Sequence, residues 1–319
     1  MARLENADLG LSESSIVKLR SAGILTVYDF MSLTCEELVK KTDMLYELVD
    51  TLQKTIVTKF GGNIEHYLDV YSQERKDVIS TGLSCLDNLL DGGFHCRQIY
   101  EICGSSSAGK SQLCHWFAMH ATLNDLSQVH YVDASRQFFA SRIQMILDMR
   151  KASVTDFAKV MSAIKVHQVH RIHDLVSLFH ELTTTWIESE SSSNKKLIII
   201  DSLSLLCAIV PSTELTQILC SFASICRYLA NRCRVAVVVI NRVRAEQRDS
   251  MLTDKSSGKS VPLNFQPSLG KYWQGVPNVR LLIDPLERER REIRVWKSTL
   301  LENGKCCFVD FNDEGILPK

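Results

Sequence analysis

The sequence predicts an α/β protein whose mainly parallel central sheet is preceded by a small all-α N-terminal domain. Residues 9–60 have helical periodicity throughout, whereas the chain after Ser80 alternates short β-rich runs with longer helical ones. Two of the β-rich runs, Leu197–Ile200 and Val235–Ile240, are apolar at every successive position, as strands buried on both faces are. Strands that alternate with helices in this way form a parallel sheet covered by helices on both sides.

The helical domain is predicted at residues 1–60 from its helix start and stop signals. Ser12 is expected to cap the first helix and Gly23 to close it, and Thr34 with Glu37 has the spacing of a capping box. The apolar positions are spaced for packing several short helices rather than for a coiled coil. The sequence therefore predicts a small group of short helices at this end of the chain.

A linker is predicted at residues 61–77 and a large core at residues 78–319. The linker begins with Gly61-Gly62-Asn63 and continues into a polar stretch. The strands predicted for the core are Gln98–Cys103, Val129–Val132, Lys165–His167, Leu197–Ile200, Val235–Ile240, Val279–Ile283 and Ile293–Trp296.

The composition indicates a soluble protein of a reducing compartment with no membrane association. The sequence has no run of about 18 apolar residues, and its N-terminus has neither a signal peptide nor the bias of a transit peptide. The eleven cysteines lie mostly singly in apolar segments, which is typical of reduced core thiols. Because the net charge is zero, any contact with nucleic acid must come from a local basic patch.

Residues 104–111 match the P-loop spacing in full, after a predicted strand and before a predicted helix. In this motif backbone N–H groups surround phosphates at a helix N-terminus, Lys110 reaches the β- and γ-phosphates, and the Ser111 hydroxyl ligates Mg²⁺. Asp201 follows a buried strand; an Asp there is commonly a turn or cap residue, but beside a P-loop it is expected to hold a Mg²⁺-bound water. The candidate nucleotide-binding residues are Gly104, Ser105, Ser106, Ser107, Ala108, Gly109, Lys110, Ser111, Gln112 and Asp201.

Several motifs occur in an order that resembles the RecA-type strand-exchange recombinases of eukaryotes, over nearly the whole chain. They are Ile79–Gly93, the P-loop, Tyr131–Asp133, the strand ending at Asp201, Val238–Asn241 and Pro267–Trp273. Within that family the chain is most similar to the D-type paralogues, through Gly10–Ile16 and Ser268–Trp273. The resemblance implies a RecA-like P-loop NTPase core, ATP with Mg²⁺ bound between neighbouring subunits, and a role in homologous recombination repair.

The resemblance also implies a catalytic defect. Active members have a glutamate that activates the attacking water two residues after the Asp of the strand Val129–Asp133, and this chain has Ser135 there. A serine is not a general base near neutral pH without a partner base, so a factor of about 10² to 10⁴ in rate is expected to be missing. The residue after Asn241 is commonly a glutamine that senses the γ-phosphate, and here it is Arg242. We therefore assign no catalytic residue and expect at most a weak DNA-dependent ATPase.

Further binding residues are implied by the same resemblance. Arg142 matches a position that packs on adenine, and a planar guanidinium suits that contact. An exposed helix arginine with no role in binding is an equally supported interpretation. The segment 242–271 matches the second DNA-facing loop, and its cations favour non-specific phosphate binding, with a merely solvated loop as the alternative. Those cations are Arg242, Arg244, Arg248, Lys255, Lys259 and Lys271. The first DNA-facing loop, about 204–214, contains no Lys or Arg, so weak binding of single-stranded DNA by this chain alone is expected.

Two further clusters are interpreted as structural. His167, His170 and His173 fall at intervals of three but begin on a predicted strand, where that spacing does not put them on one face. They are interpreted as surface and core histidines rather than as metal ligands. The segment Arg288–Arg294 mixes basic and acidic residues, which favours a charged β-hairpin over a nuclear-import signal.

The leading functional hypothesis is a nucleotide-bound assembly subunit that aids the main recombinase on single-stranded DNA. A DNA-stimulated ATPase with strand-exchange activity of its own is the alternative, and a P-loop phosphotransferase acting on a small molecule is a remote one. RecA-type filaments dock through a Phe-x-x-Ala segment of the linker, which is absent from 61–77. We therefore expect a hetero-oligomer with other recombinase paralogues rather than a homo-filament, in the nucleus with a cytoplasmic pool.

Overall fold

The computed structural model describes residues 3–7, 9–61, 66–124, 128–188, 195–245 and 265–319 of the chain. It divides into two compact units, Met1–Tyr71 and Ser72–Lys319. The division falls inside the segment expected to be a linker, and a helix at Tyr67–Lys76 crosses it. Part of the expected linker is therefore helical.

The first unit consists of short helices. After a 3₁₀ turn at Leu4–Asn6, they are α1 (Glu13–Ser21), α2 (Val27–Met31), α3 (Cys35–Thr42), α4 (Tyr46–Phe60) and the start of α5 (Tyr67–Lys76). The Ser12 hydroxyl accepts a hydrogen bond from the Ser15 N–H at 3.2 Å, and Thr34 and Glu37 form the predicted capping box. Each cap satisfies an N–H group that the helix leaves unpaired. Buried apolar side chains from the helices, including Leu19, Phe30, Leu38 and Val49, form one core.

The second unit contains the sheet. Its strands are β1 (Val78–Ile79), β2 (Phe94–His95), β3 (Ile99–Gly104), β4 (Gln128–Asp133), β5 (Ile164–Gln168), β6 (Lys196–Asp201), β7 (Val235–Ala245), β8 (Phe265–Pro267), β9 (Val279–Pro285), β10 (Arg290–Ser298), β11 (Cys306–Asn312) and β12 (Gly315–Pro318). Its helices are α6 (Ser84–Leu89), α7 (Lys110–Asn124), α8 (Ala140–Met149), α9 (Val154–Ala163), α10 (Ile172–Glu188), α11 (Leu203–Cys207), α12 (Ser212–Cys233) and α13 (Gly270–Gln274). In the described part of the chain, no helix is both long enough and apolar enough to cross a bilayer.

The main sheet has the strand order β12-β11-β10-β9-β3-β7-β6-β4-β5, and β8 pairs with β7 beside it. The pairs from β9 through β3, β7, β6 and β4 to β5 are parallel, and those from β9 to β12 are antiparallel. The predicted fold class is confirmed, and every predicted strand is present with different ends. The segment Arg288–Arg294 lies on the turn and second strand of the β9–β10 hairpin. The sequence interpretation missed β1, β2, β8, β11 and β12.

Helices cover both faces of this sheet, which explains why its central strands are apolar at successive positions. Every residue of β3 and of β6 is buried, and two separate apolar cores lie against the sheet. The carboxyl ends of parallel strands meet at one edge. This edge therefore brings together the residues that end β3, β4, β6 and β7.

The segment 204–214, expected to be the first DNA-facing loop, is a loop only in its middle. Its first residues belong to α11 and its last residues begin α12, with a short turn between them. The loop is shorter than expected because Leu203 and Leu206 are buried in the core, which holds the chain in a helical turn, and its contact with DNA stays a prediction. Pro211 precedes the first residue of α12.

Candidate phosphate-binding site

The P-loop sequence forms the connection between β3 and α7. Gly104 is the last residue of β3 and Lys110 the first of α7. Ser107 and Gly109 have positive φ angles of 63° and 100°, a conformation that turns backbone N–H groups toward one anion. A Cβ atom on Gly104 would lie 2.7 Å from the Ile283 carbonyl oxygen, so a larger residue does not fit there.

Lys110 is buried and folded back onto its own loop. Its Nζ donates hydrogen bonds to the Gly104 carbonyl oxygen at 2.9 Å and to that of Ser105. Burial lowers the pKa of Lys110; the Asp201 carboxylate opposes this shift, and the positive charge of Arg242 adds to it. An ammonium group held by neutral carbonyl oxygens gains interaction energy when a phosphate replaces them.

Asp201 ends β6 opposite Asp133 at the end of β4. It is buried, and the Tyr131 hydroxyl donates a hydrogen bond to its Oδ2 at 2.9 Å. Asp201 and Ser111 line the same cavity. Carboxylate, hydroxyl and phosphate oxygens together with water are the ligands that Mg²⁺ prefers. These two residues therefore fit a hydrated Mg²⁺ ion at this edge of the sheet.

A cavity of about 860 Å³ opens above the P-loop. It is lined by Ser106, Ser107, Gly109, Lys110, Ser111, Gln112, Ala134, Ser135, Arg136, Gln137, His170, Asp201, Ser202, Leu205, Ile240, Arg242 and Arg291. Most of the predicted nucleotide-binding residues are brought together here. The volume is within the range of small-molecule and cofactor sites, and the excess of cations over carboxylates suits a polyphosphate.

Ser135 lines the cavity on the loop after β4, but the nearby Asp133 is not placed to act as a base. The Asp133 carboxylate accepts hydrogen bonds from the backbone N–H groups of Ser135, Gln137 and Phe138 at 3.1, 3.1 and 2.9 Å. It therefore organises the loop and is not among the lining residues. Of the described residues that line the cavity, Asp201 supplies the one carboxylate.

Arg142 lies outside this cavity, in a small adjoining cleft that also contains Gln112, and its guanidinium is fixed. Arg142 Nη2 donates to the Asn312 carbonyl oxygen at 2.8 Å, and Nη1 donates to that of Asp313 at 3.2 Å. Gln112 lines both the cavity and the cleft, so the two adjoin at this residue. The predicted adenine contact stays a prediction.

The predicted DNA-binding residues fall in different places. Arg242 lines the phosphate cavity, and Lys271 is exposed on α13. Arg248, Lys255 and Lys259 lie outside the described residues, and so does the side chain of Arg244. The DNA contacts therefore stay predictions, and Arg242 lies at the candidate nucleotide site, as its position after Asn241 suggested.

Three of the cavity residues that the sequence interpretation did not assign to the site are basic. They are Arg136, His170 and Arg291, and they reach the cavity from the loop after β4, the connection before α10, and β10. Arg136 Nη2 donates to His170 Nε2 at 3.2 Å. No motif connects these residues, so only the fold brings them together.

The three histidines at intervals of three lie in different surroundings. His167 Nε2 lies 2.9 Å from His130 Nδ1, on the neighbouring strand, His170 lines the cavity, and His173 is exposed on α10. Among the residues that the structure describes, no group of three or more histidine, cysteine or acidic side chains is arranged to hold a metal ion.

Comparison with known proteins identifies relatives of the whole chain. A family model described as Rad51 matches residues 74–318. The chain is 28% identical to DNA repair protein RAD51 homolog 4 of Bos taurus, over 96% of this chain and 94% of that protein. It is 28% identical to DNA repair protein RAD51 homolog 2 of Homo sapiens, over 92% and 83%. It is 24% identical to meiotic recombination protein DMC1 of Saccharomyces cerevisiae, over 98% and 92%.

Proposed function

The chain belongs to the Rad51 family, whose model matches most of its length, and on that premise we propose that it is an ATP-binding recombinase paralogue acting in homologous recombination repair. The names of its relatives support this role, since they are DNA repair and meiotic recombination proteins. The observation that carries the proposal is the P-loop cavity, which combines phosphate-binding groups with no carboxylate at position 135. Family membership argues against the small-molecule phosphotransferase.

ATP binding is supported by the residues around the P-loop. The loop N–H groups, Lys110 and the N-terminus of α7 suit the phosphates, and Ser111 with Asp201 suits Mg²⁺. Bound Mg²⁺ neutralises phosphate charge. Ser111 and Asp201 position the ion, and Lys110 exchanges its carbonyl partners for phosphate oxygens.

Slow hydrolysis follows from the environment of Ser135. The Ser135 hydroxyl lies 3.4 Å from the Asp133 carboxylate, but that carboxylate already accepts hydrogen bonds from backbone N–H groups. An alcohol does not ionise near neutral pH, so Ser135 cannot itself act as the base. Without a general base the attacking water is poorly activated. A ligand that binds the folded state stabilises it by mass action, so ATP acts here as a structural ligand of an assembly subunit.

The partners in this proposal are other recombinase paralogues and the main strand-exchange recombinase, in a hetero-oligomer located in the nucleus. Contact with single-stranded DNA is weak for this chain alone, because the segment 204–214 contains no Lys or Arg. Placement with the D-type paralogues is part of the same proposal and is supported by the similarity to RAD51 homolog 4.

His170 supports a second candidate, a working DNA-stimulated ATPase. Its imidazole lines the phosphate cavity, and Arg136 Nη2 lies within hydrogen-bond distance of its Nε2. An imidazole on the cavity wall is a side chain of the kind that serves as a general base. Turnover that depends on His170 would identify this activity.

The test is ATP binding and turnover by the purified full chain, with and without single-stranded DNA. Lys110→Ala is the site variant, and Lys305→Ala, which removes an exposed lysine paired with Glu302, is the matched control. We expect tight binding that Lys110→Ala abolishes and Lys305→Ala preserves, with turnover at the level of Lys110→Ala. DNA-stimulated turnover that is lost in His170→Ala supports the DNA-stimulated ATPase instead. Failure of the wild-type chain to bind ATP rejects both candidate functions.

A further inference from the structure

Two free thiols lie where helix α6 packs on strand β11. Cys85 is in the first turn of α6 and is half-buried, and Cys307 is on β11 and is buried. Neither residue lines the phosphate cavity. We propose that Cys85 and Cys307 form an oxidation site, in which hydrogen peroxide converts the two thiols into a reversible disulfide that ties α6 to β11.

The contacts of Cys85 place its sulfur beside the backbone of β11. Cys85 Sγ donates a hydrogen bond to the Phe308 carbonyl oxygen at 3.5 Å, and Phe308 directly follows Cys307 in the strand. Cys307 and Val309 belong to the apolar core against which Cys85 packs. The Cys307 side chain therefore points to the side of β11 that α6 covers, and the two thiols face each other across this contact.

The adjacent thiol of Cys306 does not share this contact. Successive residues of a strand point to opposite faces of the sheet, and Cys306 is exposed whereas Cys307 is buried. Burial and the neighbouring Glu292 carboxylate raise the pKa of Cys306, so its thiol lies beside the side chain of a strand residue rather than beside α6. Cys306 is therefore a neighbouring thiol with the wrong orientation for a bond to Cys85.

The different exposure of the two paired thiols sets the order of the reaction. Burial raises the pKa of Cys307, and the adjacent Cys85 thiol raises it further. Cys307 therefore stays protonated, and a protonated thiol is a poor nucleophile toward peroxide. Cys85 is partly accessible from solvent. Cys85 is thus the thiol that the peroxide oxidises first, and Cys307 is the thiol that resolves the product.

The oxidation takes two steps. In the first, the Cys85 thiolate attacks one peroxide oxygen; an S–O bond forms, the O–O bond breaks, and the leaving oxygen takes up the proton that Cys85 released and departs as water. In the second, Cys307 attacks the Cys85 sulfur; the S–S bond forms, the S–O bond breaks, and the hydroxyl leaves as water with the Cys307 proton. One peroxide thus takes two electrons from the two sulfurs.

The disulfide joins two elements that are far apart in the chain, since most of the second unit lies between Cys85 and Cys307. A cross-link that closes so long a loop restricts the unfolded chain and stabilises the folded one. Strand β11 also carries Phe311, whose ring a Cβ atom on Gly109 of the P-loop would approach to 3.0 Å. Oxidation therefore stabilises the part of the sheet that lies against the P-loop without changing a residue of the cavity.

The experiment treats the full chain with hydrogen peroxide and maps its disulfides by mass spectrometry of peptides digested without reductant. We expect one major cross-linked peptide, which joins Cys85 to Cys307 and disappears with dithiothreitol. Cys306→Ala is the matched control and should form the same bond. Cys307→Ala should leave Cys85 as a sulfenic acid that dimedone traps. The oxidised wild-type chain should melt about 4 °C or more above the reduced chain.

The wild-type chain alone decides the outcome, so a variant that fails to fold leaves the test intact. Cross-links that join Cys306 or another thiol instead, or Cys85 and Cys307 that remain separate thiols or separate oxidised acids, overturn the proposal. A bond that forms equally well in the chain unfolded in urea also overturns it, because the pairing then does not depend on the contact between α6 and β11. An oxidised chain that melts no higher than the reduced chain overturns the stabilising role of the bond.

Discussion

The buried carboxylate of Glu101 accepts a hydrogen bond from Asn241 Nδ2 at 2.8 Å, which joins the strand before the P-loop to the strand that carries Arg242. The same carboxylate accepts from Trp273 Nε1 at 2.9 Å and from Arg280 Nε. The Glu101 carboxylate on β3 thus binds donors from β7, α13 and β9, and this buried polar network holds the strands beneath the phosphate cavity in place.

Replacing Glu101 is expected to destabilise the second unit strongly. Glu101→Ala leaves the guanidinium of Arg280 buried without its partner, which costs about 3–5 kcal/mol of unfolding free energy. Glu292→Ala, which breaks an ion pair with the half-exposed Arg294, is the matched control and is expected to cost less than about 1 kcal/mol. Urea denaturation of both variants checks this. Equal losses of unfolding free energy would mean that the buried network around Glu101 contributes no more than an exposed ion pair.

Asp201 is expected to act through Mg²⁺ rather than directly on the nucleotide. Asp201→Asn removes a charge from the ion's site, so ATP affinity measured with Mg²⁺ should fall to the value that the wild-type chain has in EDTA. Tyr131→Phe removes only the hydrogen bond to Asp201 and should cause a smaller loss. Titrations with and without Mg²⁺ test this, and a loss in Asp201→Asn that persists in EDTA would argue against a metal role.

Installing the missing carboxylate is expected to raise ATP turnover. Ser135→Glu puts a general base on the loop after β4 at the cavity wall, and such a base contributes about 10²- to 10⁴-fold where its geometry is correct. Ser135→Ala is the control and should leave turnover unchanged. Steady-state hydrolysis with single-stranded DNA measures both variants. No gain in Ser135→Glu, with ATP binding intact, would place the defect elsewhere in the cavity.

Acidification is expected to destabilise the protein through His130. Burial lowers the pKa of His130 from its ordinary value of 6.5 to about 3, and the neighbouring positive charges of His167, Lys165 and Lys196 add to that shift. The unfolded chain therefore takes up a proton near pH 6.5, whereas the folded chain does so only near pH 3. Stability is fully present above about pH 6.5 and is lost as the pH falls toward 3, with a slope of about 1.4 kcal/mol per pH unit from this one group.

Unfolding free energies measured from pH 7 to pH 4 test the role of His130. His130→Phe keeps a ring against Trp186, since the His130 and Trp186 ring centroids are 5.0 Å apart. It should lower the slope of unfolding free energy against pH by about 1.4 kcal/mol per pH unit, the contribution of one proton. His173→Phe changes an exposed histidine of α10 and should leave the slope as it is. An unchanged slope in His130→Phe would assign acid sensitivity to other groups, such as His120, whose pKa burial lowers to about 4.

The features that were predictable from the sequence are those whose physical cause is local. The capping box needs only Thr34 and Glu37 three residues apart, and the P-loop needs only its glycines, Lys110 and a strand and helix on either side. The alternation of buried strands with helices likewise follows from periodicity along the chain. Strands β11 and β12 escaped prediction because β11 becomes a strand by pairing with β10, and β12 by pairing with β11.

The sequence by itself determined the fold class, the phosphate loop and the absence of a glutamate at position 135. Only the tertiary structure decided which cations accompany that loop. Arg242 lies on β7, which pairs with β3, Arg291 belongs to a hairpin folded against the P-loop, and His170 precedes α10, so no spacing along the chain relates them. The physical reason is that strand order sets these distances, and strand order depends on which apolar faces are buried against one another.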